Sequence, residues 1–320
     1  MPEFFGSQNT ERELDNMSPQ LASGNDPIPV DQTANPRADS YNSEELTDPN
    51  TIVVTIADDK TPLVLLVGPP SCGKTMTLVR LARYLRTLSG YTIQPVTSFR
   101  PAHDKNYERM CAQFDAMIGN DYAADSTSQI NFMLVKVLYK GKALCQILEA
   151  PGEHYYKPEK DIANMVKRSF PRYISKIKNC NNRKIWAVLV EPDHTNKSMD
   201  TANRAKYAMT IRDLIKLNMR SHDKVMFIFN KIDETPYVIA PGRVNQKEAL
   251  REIANLYPNI FVPFKNENPI TRFWKENNFD FIPFQTGEYA KATDGSLAFE
   301  PGHDIYPATL WNRINKHLKG

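Results

Sequence analysis

The segment GPPSCGKT at residues 68–75 has the residue types and the spacing of a phosphate-binding loop. Gly68, Gly73, Lys74 and Thr75 satisfy the pattern G-x-x-x-x-G-K-T, between an apolar strand-like run and a helical pattern. In such a loop the backbone N–H groups point inward and, with the positive end of the following helix, hold phosphate oxygens. The alternative, a Gly-Lys-Thr turn that opens an ordinary helix, ignores this context. The segment therefore predicts a site for phosphate groups.

The positions inside this loop differ in what they contribute. The two prolines lack an N–H group, so the donors come from the later half, Ser71 to Thr75, which includes Cys72. Lys74 is expected to bridge the β- and γ-phosphates, and the Thr75 hydroxyl is expected to bind Mg²⁺. These groups fit a nucleoside triphosphate with its magnesium ion.

The segment FIFNKID supplies a candidate for recognition of the base. It places Asn230, Lys231 and Asp233 directly after an apolar run, about 155 residues beyond the phosphate loop. The Asp233 carboxylate can accept hydrogen bonds from guanine N1–H and N2–H₂, whereas adenine would leave it unpaired at a considerable cost. The Lys231 stem can lie along the base, and Asn230 can tie this loop to the phosphate loop. A polar loop that merely closes a strand is the alternative, but the combination of segments predicts a guanine nucleotide, GTP or GDP.

The elements that must position these segments alternate along the chain, which implies a mostly parallel sheet in a layered α/β fold. A hairpin within 129–152 is expected to add one antiparallel edge strand. Strands are predicted at 61–68, 184–192, 224–233 and 279–287, with two more around a tight turn in 129–152. Helices are predicted after Gly73, around 106–118, in 154–179 with a break at Pro171, and at 198–219, 243–257 and 307–318.

Residues 1–50 differ in composition from the rest of the chain. They hold ten acidic residues and two arginines, a net charge of −8, and have no sustained apolar period. We expect a disordered acidic tail over 1–50 and one domain over 51–320, with an insertion around 100–128. The remaining residues carry 38 basic and 27 acidic side chains. This excess could attract nucleic acid or an anionic surface. We favour a mildly basic solvated surface that accommodates a polyanionic ligand, and nucleic acid is not expected as a partner.

Cysteine usage and hydropathy indicate the compartment. The four cysteines have neither close pairing nor metal-ligand spacing, and one of them lies inside the phosphate loop. The apolar runs are far shorter than the ~20 residues of a membrane-spanning helix. We therefore expect reduced thiols, no transmembrane segment and a cytoplasmic location.

The order and spacing of the motifs resemble those of the Ras-like GTPase superfamily over nearly all of 60–320. The resemblance implies a three-layer G-domain fold in which switch I lies at about 95–128. The sequence EAPG at 149–152 stands where the family has D-x-x-G. QTGE at 285–288 follows the last predicted strand, where the family has its S-A-K-like loop. The chain is more similar to prokaryotic Ras-like proteins with an enlarged switch I region than to translation factors.

The resemblance also implies roles for single residues. Glu149 takes the position of the aspartate that holds Mg²⁺ through water, and Gly152 that of the glycine whose N–H senses the γ-phosphate. Thr286 and Gly287 take the Ser and Ala positions of the S-A-K-like loop, which directs the Gly287 N–H at guanine O6. Glu288 replaces the lysine of that loop.

The switch I threonine, which in the family binds Mg²⁺ and contacts the γ-phosphate, has two candidates. Thr127 is favoured because it lies two residues before a predicted strand. Thr97, in the segment PVTSFRP, is its rival. Either could instead cap a turn.

Glu153 stands where the family has the glutamine that orients the attacking water, and two interpretations stay open. Glu153, or His154 beside it, positions or activates water, so that these two residues and Lys74 form the catalytic set. Alternatively, the extra negative charge slows hydrolysis and leaves a switch that mainly binds nucleotide.

Together these observations predict a Mg²⁺-dependent GTP-binding switch that hydrolyses GTP slowly. A protein effector or activating partner is expected to contact 95–128 and 150–160. The first alternative is a GTP-binding scaffold protein with little or no hydrolysis. The second is a P-loop ATPase or kinase, which the FNKID segment disfavours.

Overall fold

The structure is a computed structural model of the chain. The predicted tail, apart from Glu45 and 48–50, lies outside the described residues, as does Thr127. For 288–291 and 297–300 the structure describes the backbone. The described residues are 45, 48–102, 104–119, 132–156, 170–269, 276–291 and 297–319.

The described residues include eleven strands, of which seven form the central sheet. The strands are β1 (Leu63–Val67), β2 (Tyr91–Pro95), β3 (Met133–Tyr139), β4 (Lys142–Glu149), β5 (Lys184–Val190), β6 (Lys224–Phe229), β7 (Val238–Ala240), β8 (Arg243–Val244), β9 (Asp280–Pro283), β10 (Glu288–Lys291) and β11 (Leu297–Glu300). The central sheet has the order β2-β3-β4-β1-β5-β6-β9. Strand β3 runs in the opposite direction to the other six strands of this sheet. Two separate hairpins pair β7 with β8 and β10 with β11.

Helices connect most of these strands. Those described are α1 (Lys74–Thr87), α2 (Lys105–Gly119), α3 (Gly152–Tyr155), α4 (Arg172–Asn179), α5 (Thr201–Ile211), α6 (Gln246–Leu256) and α7 (Ile305–Lys319). A π-helical turn over Arg212–Lys216 continues α5. Within the described ranges, no helix has both the length and the apolar character needed to cross a membrane.

The core lies where apolar strands are covered by helices. Every residue of β1 and of β5 is buried, which explains why their sequences, apart from Lys184 at the start of β5, are continuous apolar runs rather than alternating ones. The first helix buries Leu78, Leu81 and Leu85, which share one helical face. The turn from β1 into α1 is the predicted phosphate loop, so packing of both elements fixes its two ends.

The predicted fold class, a mostly parallel α/β sheet with one antiparallel strand, is confirmed. In detail, the antiparallel strand β3 is one position in from the edge, because β2 pairs with its outer side. The sequence analysis did not predict β2. Its five residues include one buried side chain, Ile93, so its apolar signal is weak.

Several predicted elements differ from the structure at their ends. The helix predicted at 243–257 begins at Gln246, because the Asn245 side chain caps it and 243–244 pair within a hairpin. The strand at 279–287 is not the last one, since β10 and β11 follow it. The helix around 106–118 is confirmed as α2, and α4 begins directly after Pro171.

Residues 48–56, called here the strap, pack on the domain ahead of β1. Ile52 and Val54 are buried, and the Thr55 N–H donates to the Phe99 carbonyl at 2.8 Å. Ahead of the strap, the Glu45 carboxylate forms a buried ion pair with Arg100 at 2.6 Å. The predicted domain division at residue 50 stays a prediction.

Candidate functional site

The phosphate loop, residues 68–75, turns sharply at the carboxyl edge of the sheet. Ser71 and Gly73 have left-handed backbones, with φ of 63° and 90°. A β-carbon on Gly73 would overlap the Asn230 side-chain amide, and one on Gly68 would overlap Cys72 Sγ. Both glycines of the motif are therefore required by close packing around the loop.

Lys74 lies within the curve of this loop and is 5% exposed. Its Nζ donates hydrogen bonds to the carbonyl oxygens of Gly68, at 3.2 Å, and Pro69, at 2.9 Å. Carbonyl groups orient an ammonium group but do not neutralise its charge. A phosphate would supply the opposite charge and form charge-assisted hydrogen bonds with the lysine.

Residues 230–233, called here the base loop, follow β6 at the same edge. Asn230 is fully buried, and its Nδ2 donates to the Cys72 carbonyl at 2.9 Å. This is the contact between the two loops that the sequence analysis expects. Lys231 has a left-handed φ of 55°, and the turn after it holds Asp233 half-buried.

The loop after β9 lies beside the base loop. The Phe284 N–H donates to the Phe229 carbonyl at 2.8 Å, and the Ile232 N–H donates to the Phe284 carbonyl at 3.2 Å. Thr286 and Gly287 follow directly and are half-buried. Gly287 has a φ of 113°, a conformation that L side chains rarely adopt.

Glu149 ends β4 next to the phosphate loop and is 1% exposed. Its Oε1 accepts a hydrogen bond from the Thr75 hydroxyl at 2.8 Å. Its Oε2 is buried without a hydrogen-bond partner among the described residues. Burial raises the pKa of the Glu149 carboxyl to about 7, although the Lys74 charge and the Thr75 hydrogen bond act to lower it.

These two residues fit a magnesium ion. A buried carboxylate oxygen without a partner and an adjacent hydroxyl are hard oxygen ligands, the kind that Mg²⁺ prefers. The described part of the chain contains no cluster of three or more His, Cys, Asp and Glu side chains. An ion at this site would therefore take most of its ligands from phosphate oxygens and water, as Mg²⁺ commonly does in nucleotide sites.

Gly152 brings the EAPG segment against the phosphate loop. A β-carbon at this position would overlap the backbone of Pro69 and Pro70. The residue also begins the single helical turn of α3. Close approach of the two backbones thus requires glycine here, and it places this segment against residues 69–70 of the predicted phosphate loop.

Glu153 and His154 follow in α3, and both are half-buried. His154 Nδ1 lies 2.6 Å from the Tyr173 hydroxyl, and the two rings meet edge to face. One nitrogen of the imidazole is thus engaged by a residue of α4. The catalytic roles of Glu153 and His154 stay predictions.

Of the two switch I candidates, Thr127 lies outside the described residues. Thr97 is exposed in a short 3-10 turn that follows β2 at the carboxyl edge of the sheet. Nearby, Arg100 is buried and bonded to Glu45, Asp104 and the Val53 carbonyl. These bonds fix its guanidinium among partners that lie outside the phosphate loop.

Glu191 is a residue of this region that the sequence analysis missed. It follows β5 and is fully buried. Its carboxylate accepts hydrogen bonds from Lys231 Nζ at 2.9 Å and from Asn196 Nδ2 at 2.8 Å. The sequence signal that could have identified Glu191 is an acidic residue directly after an apolar strand, in the segment VLVEP.

The structure brings most of the predicted site residues to one edge of the sheet. Glu153 and His154 lie next to that group. The residues at the edge are Gly68, Ser71, Cys72, Gly73, Lys74, Thr75, Glu149, Gly152, Asn230, Lys231, Asp233, Thr286 and Gly287.

Comparison with solved structures finds similar chains at low sequence identity. A nucleolar GTP-binding protein 1 from Plasmodium falciparum is 11% identical with a TM-score of 0.39, over 83% of this chain and 90% of that one. The GTPase-like domain of S. cerevisiae Ski7, bound to GDP and inorganic phosphate, is 10% identical with a TM-score of 0.40, over 82% of this chain and 51% of that one. Methanosarcina barkeri Roco2, bound to GDP, is 13% identical with a TM-score of 0.30, over 81% of this chain and 49% of that one.

At these TM-scores the similarity carries no argument about function. No protein-family model matches the sequence, and no curated protein sequence matches it significantly. The functional argument therefore depends on the geometry of the site.

Proposed function

We propose that this chain is a Mg²⁺-dependent guanine-nucleotide switch of the Ras-like type that hydrolyses GTP to GDP slowly, with the help of a partner protein. The observation that carries the proposal is the joining of the phosphate loop to the base loop by the Asn230 Nδ2–Cys72 O hydrogen bond of 2.9 Å. Because of this bond, a ligand that fills one loop is held in register with the other. The free thiols of all four cysteines support a cytosolic location.

Each loop contributes different groups to the proposed complex. The N–H groups from Ser71 to Thr75 and the Lys74 ammonium hold phosphate oxygens. The Asp233 carboxylate accepts hydrogen bonds from guanine N1–H and N2–H₂, and the Gly287 N–H donates to guanine O6. Adenine presents neither donor in this arrangement, so it is rejected at the cost of an unpaired carboxylate.

Thr75 and Glu149 would hold the magnesium ion. When bound, Mg²⁺ neutralises part of the charge that develops on the phosphates during hydrolysis. Glu153 or His154 would orient the attacking water near Gly152, whose N–H senses the γ-phosphate. Thr127 or Thr97 would contribute the switch I hydroxyl, and partner proteins would contact 95–128 and 150–160.

Base specificity tests this proposal directly. Wild type should bind GTP in preference to ATP and XTP, as measured by competition against a fluorescent GDP. Asp233→Asn should reverse the preference between GTP and XTP, because xanthine presents an acceptor where guanine has its N2 amine. Asp59→Asn, an exposed acid ahead of β1, is the matched control and should leave the preference unchanged. A wild type that prefers ATP would contradict the proposal.

A guanine-nucleotide-binding protein with little hydrolysis is the second candidate. The observation that favours it is the contact of Tyr173 with one nitrogen of His154. In addition, Glu153 would add negative charge near the γ-phosphate. Single-turnover hydrolysis by wild type, Glu149→Ala and Glu153→Ala separates the two candidates. If Glu153→Ala hydrolyses GTP more slowly than wild type, the result supports catalysis by this carboxylate. If it hydrolyses GTP faster than wild type, the result supports the binding protein.

A further inference from the structure

Glu191 occupies a central position in the sheet order. Strand β5, which it follows, pairs with β1 on one side and with β6 on the other. The phosphate loop follows β1 and the base loop follows β6. A residue directly after β5 therefore lies between the two loops, and Glu191 is fully buried there.

The Glu191 carboxylate is bonded on both of its oxygens. Its Oε2 accepts from Lys231 Nζ at 2.9 Å and from the Thr195 hydroxyl at 3.1 Å. Its Oε1 accepts from Asn196 Nδ2 at 2.8 Å, and the same amide donates to the Pro70 carbonyl at 3.2 Å. The carboxylate thus joins a lysine of the base loop to the backbone of the phosphate loop.

This connection is separate from the Asn230–Cys72 hydrogen bond and differs from it in chemistry. A buried carboxylate is costly unless it is paired and hydrogen-bonded, which makes its bond to Lys231 strongly preferred over solvent. A lysine side chain has four rotatable bonds and loses considerable rotamer entropy when it is fixed. The ion pair fixes the Lys231 stem before a ligand arrives.

We infer that Glu191 is a positioning residue for the base: it holds the Lys231 stem as one wall of the base pocket and, through Asn196, keeps that wall in register with the phosphate loop. The inference rests on the proposed function, in which this stem lies along guanine. It predicts that loss of the Glu191 charge weakens nucleotide retention through Lys231 and not through general loss of structure.

The test measures the dissociation rate of fluorescent GDP from the full-length chain. Glu191→Gln keeps the size of the side chain and removes its charge, and it should accelerate dissociation roughly tenfold. Lys231→Met keeps the apolar stem and removes the ammonium group. In the Lys231→Met background, Glu191→Gln should change the rate less than about twofold, because the pair is already absent.

Two further variants keep the test decisive. Glu234→Gln is the matched control, since this exposed acid lies in the same turn as the base loop and should change the rate less than about twofold. Asn196→Ala removes the amide that bonds both Pro70 O and Glu191 Oε1, and it leaves the Glu191–Lys231 ion pair in place. It should accelerate GDP dissociation about threefold, and it provides the test of the inference if Glu191→Gln does not fold.

The outcomes separate the inference from the proposed function. Equal effects of Glu191→Gln with and without Lys231→Met would overturn the inference, as would a wild-type rate in both Glu191→Gln and Asn196→Ala. In those cases GDP binding by wild type would leave the proposed function intact. A wild type that does not bind GDP would overturn the proposed function and the inference with it.

Discussion

Two buried or partly buried carboxylates at opposite edges of the sheet have pKa values shifted in opposite directions. At the amino edge, burial acts to raise the pKa of Asp58, but hydrogen bonds from Thr61 and Lys136 outweigh it and lower the pKa to about 2. At the carboxyl edge, burial raises the pKa of Glu149 to about 7. The first arrangement stabilises the folded chain, and the second destabilises it at neutral pH.

The difference follows from what surrounds each group. Asp58 accepts from the Thr61 N–H at 3.0 Å, the Thr61 hydroxyl at 2.7 Å and Lys136 Nζ at 3.1 Å. Glu149 accepts one bond from Thr75, and its second oxygen has no partner among the described residues. Asp58 is satisfied within the fold, whereas Glu149 keeps one oxygen without a protein partner among the described residues. The two carboxylates thus differ in whether the fold itself supplies all of their hydrogen bonds.

The largest expected effect comes from removing the Lys74 ammonium group. Lys74→Ala should weaken GDP binding by about 100-fold, because several charge-assisted hydrogen bonds to phosphate are lost together. The free energy of unfolding without nucleotide should stay within about 1 kcal/mol of wild type, since the partners of this group are carbonyl oxygens. Calorimetric titration with GDP and urea unfolding measure the two quantities.

Lys142→Ala is the control for this variant. Lys142 is exposed at the start of β4, about 23 Å along the strand from Glu149, and should affect neither quantity. If Lys74→Ala lowers stability as much as it lowers binding, the assignment of this lysine to ligand binding alone is wrong.

The next effect concerns Glu149, the buried carboxylate of the proposed magnesium site. A folded-state pKa near 7 means that the folded chain binds this proton more tightly than the unfolded chain does. Stability should therefore fall as the pH rises from about 4.5 to about 7. Glu149→Gln should remove this fall and stabilise the metal-free and nucleotide-free protein at pH 8 by about 1–3 kcal/mol.

Urea unfolding of wild type and Glu149→Gln at pH 5 and pH 8 measures this effect. In the same variant, removal of Mg²⁺ by a chelator should accelerate GDP dissociation less than it does in wild type. A variant less stable than wild type at pH 8 would show that the carboxylate is satisfied within the fold.

The smallest effect is expected at the amino edge. Asp58→Asn should destabilise the protein by about 1–2 kcal/mol at pH 7, a value discounted for the partial exposure of the side chain. Because the folded pKa is lowered from 3.8 to about 2, this stabilisation is present above about pH 4 and is lost as the pH falls towards 2. Asp59→Asn is the exposed neighbouring control, and a difference that persists unchanged at pH 3 would contradict the prediction.

The sequence alone was sufficient for residues whose neighbours are set by short motifs. The spacing from Gly68 to Thr75 predicted a loop whose glycines the packing indeed requires. The bond from Asn230 to Cys72 spans 158 residues, yet it was expected because both segments follow apolar strands. Motifs of this kind carry their own backbone geometry, so their positions at a sheet edge follow from the alternation of elements.

Glu191 could not be found in this way, because its environment depends on strand order. Nothing in the segment VLVEP indicates that β5 lies between β1 and β6. The pairing of His154 with Tyr173 likewise depends on how α4 packs against α3, which no local pattern predicts. Strand β2 was not predicted because only one of its five residues is buried, which leaves no apolar pattern typical of a sheet strand. Contacts that only the assembled sheet creates leave little trace in local composition.

The ion pair between Glu45 and Arg100 bears on where the folded unit begins. Composition divides the chain near residue 50. However, the Arg100 side chain is 3% exposed and binds the carboxylate of Glu45, which lies ahead of that division. A protein shortened to start at residue 51 would keep Asp104 and the Val53 carbonyl as partners but lose this one, at a cost of about 3 kcal/mol. A shortened protein should therefore start ahead of Glu45, whose carboxylate is the counter-ion of a buried arginine in the folded unit.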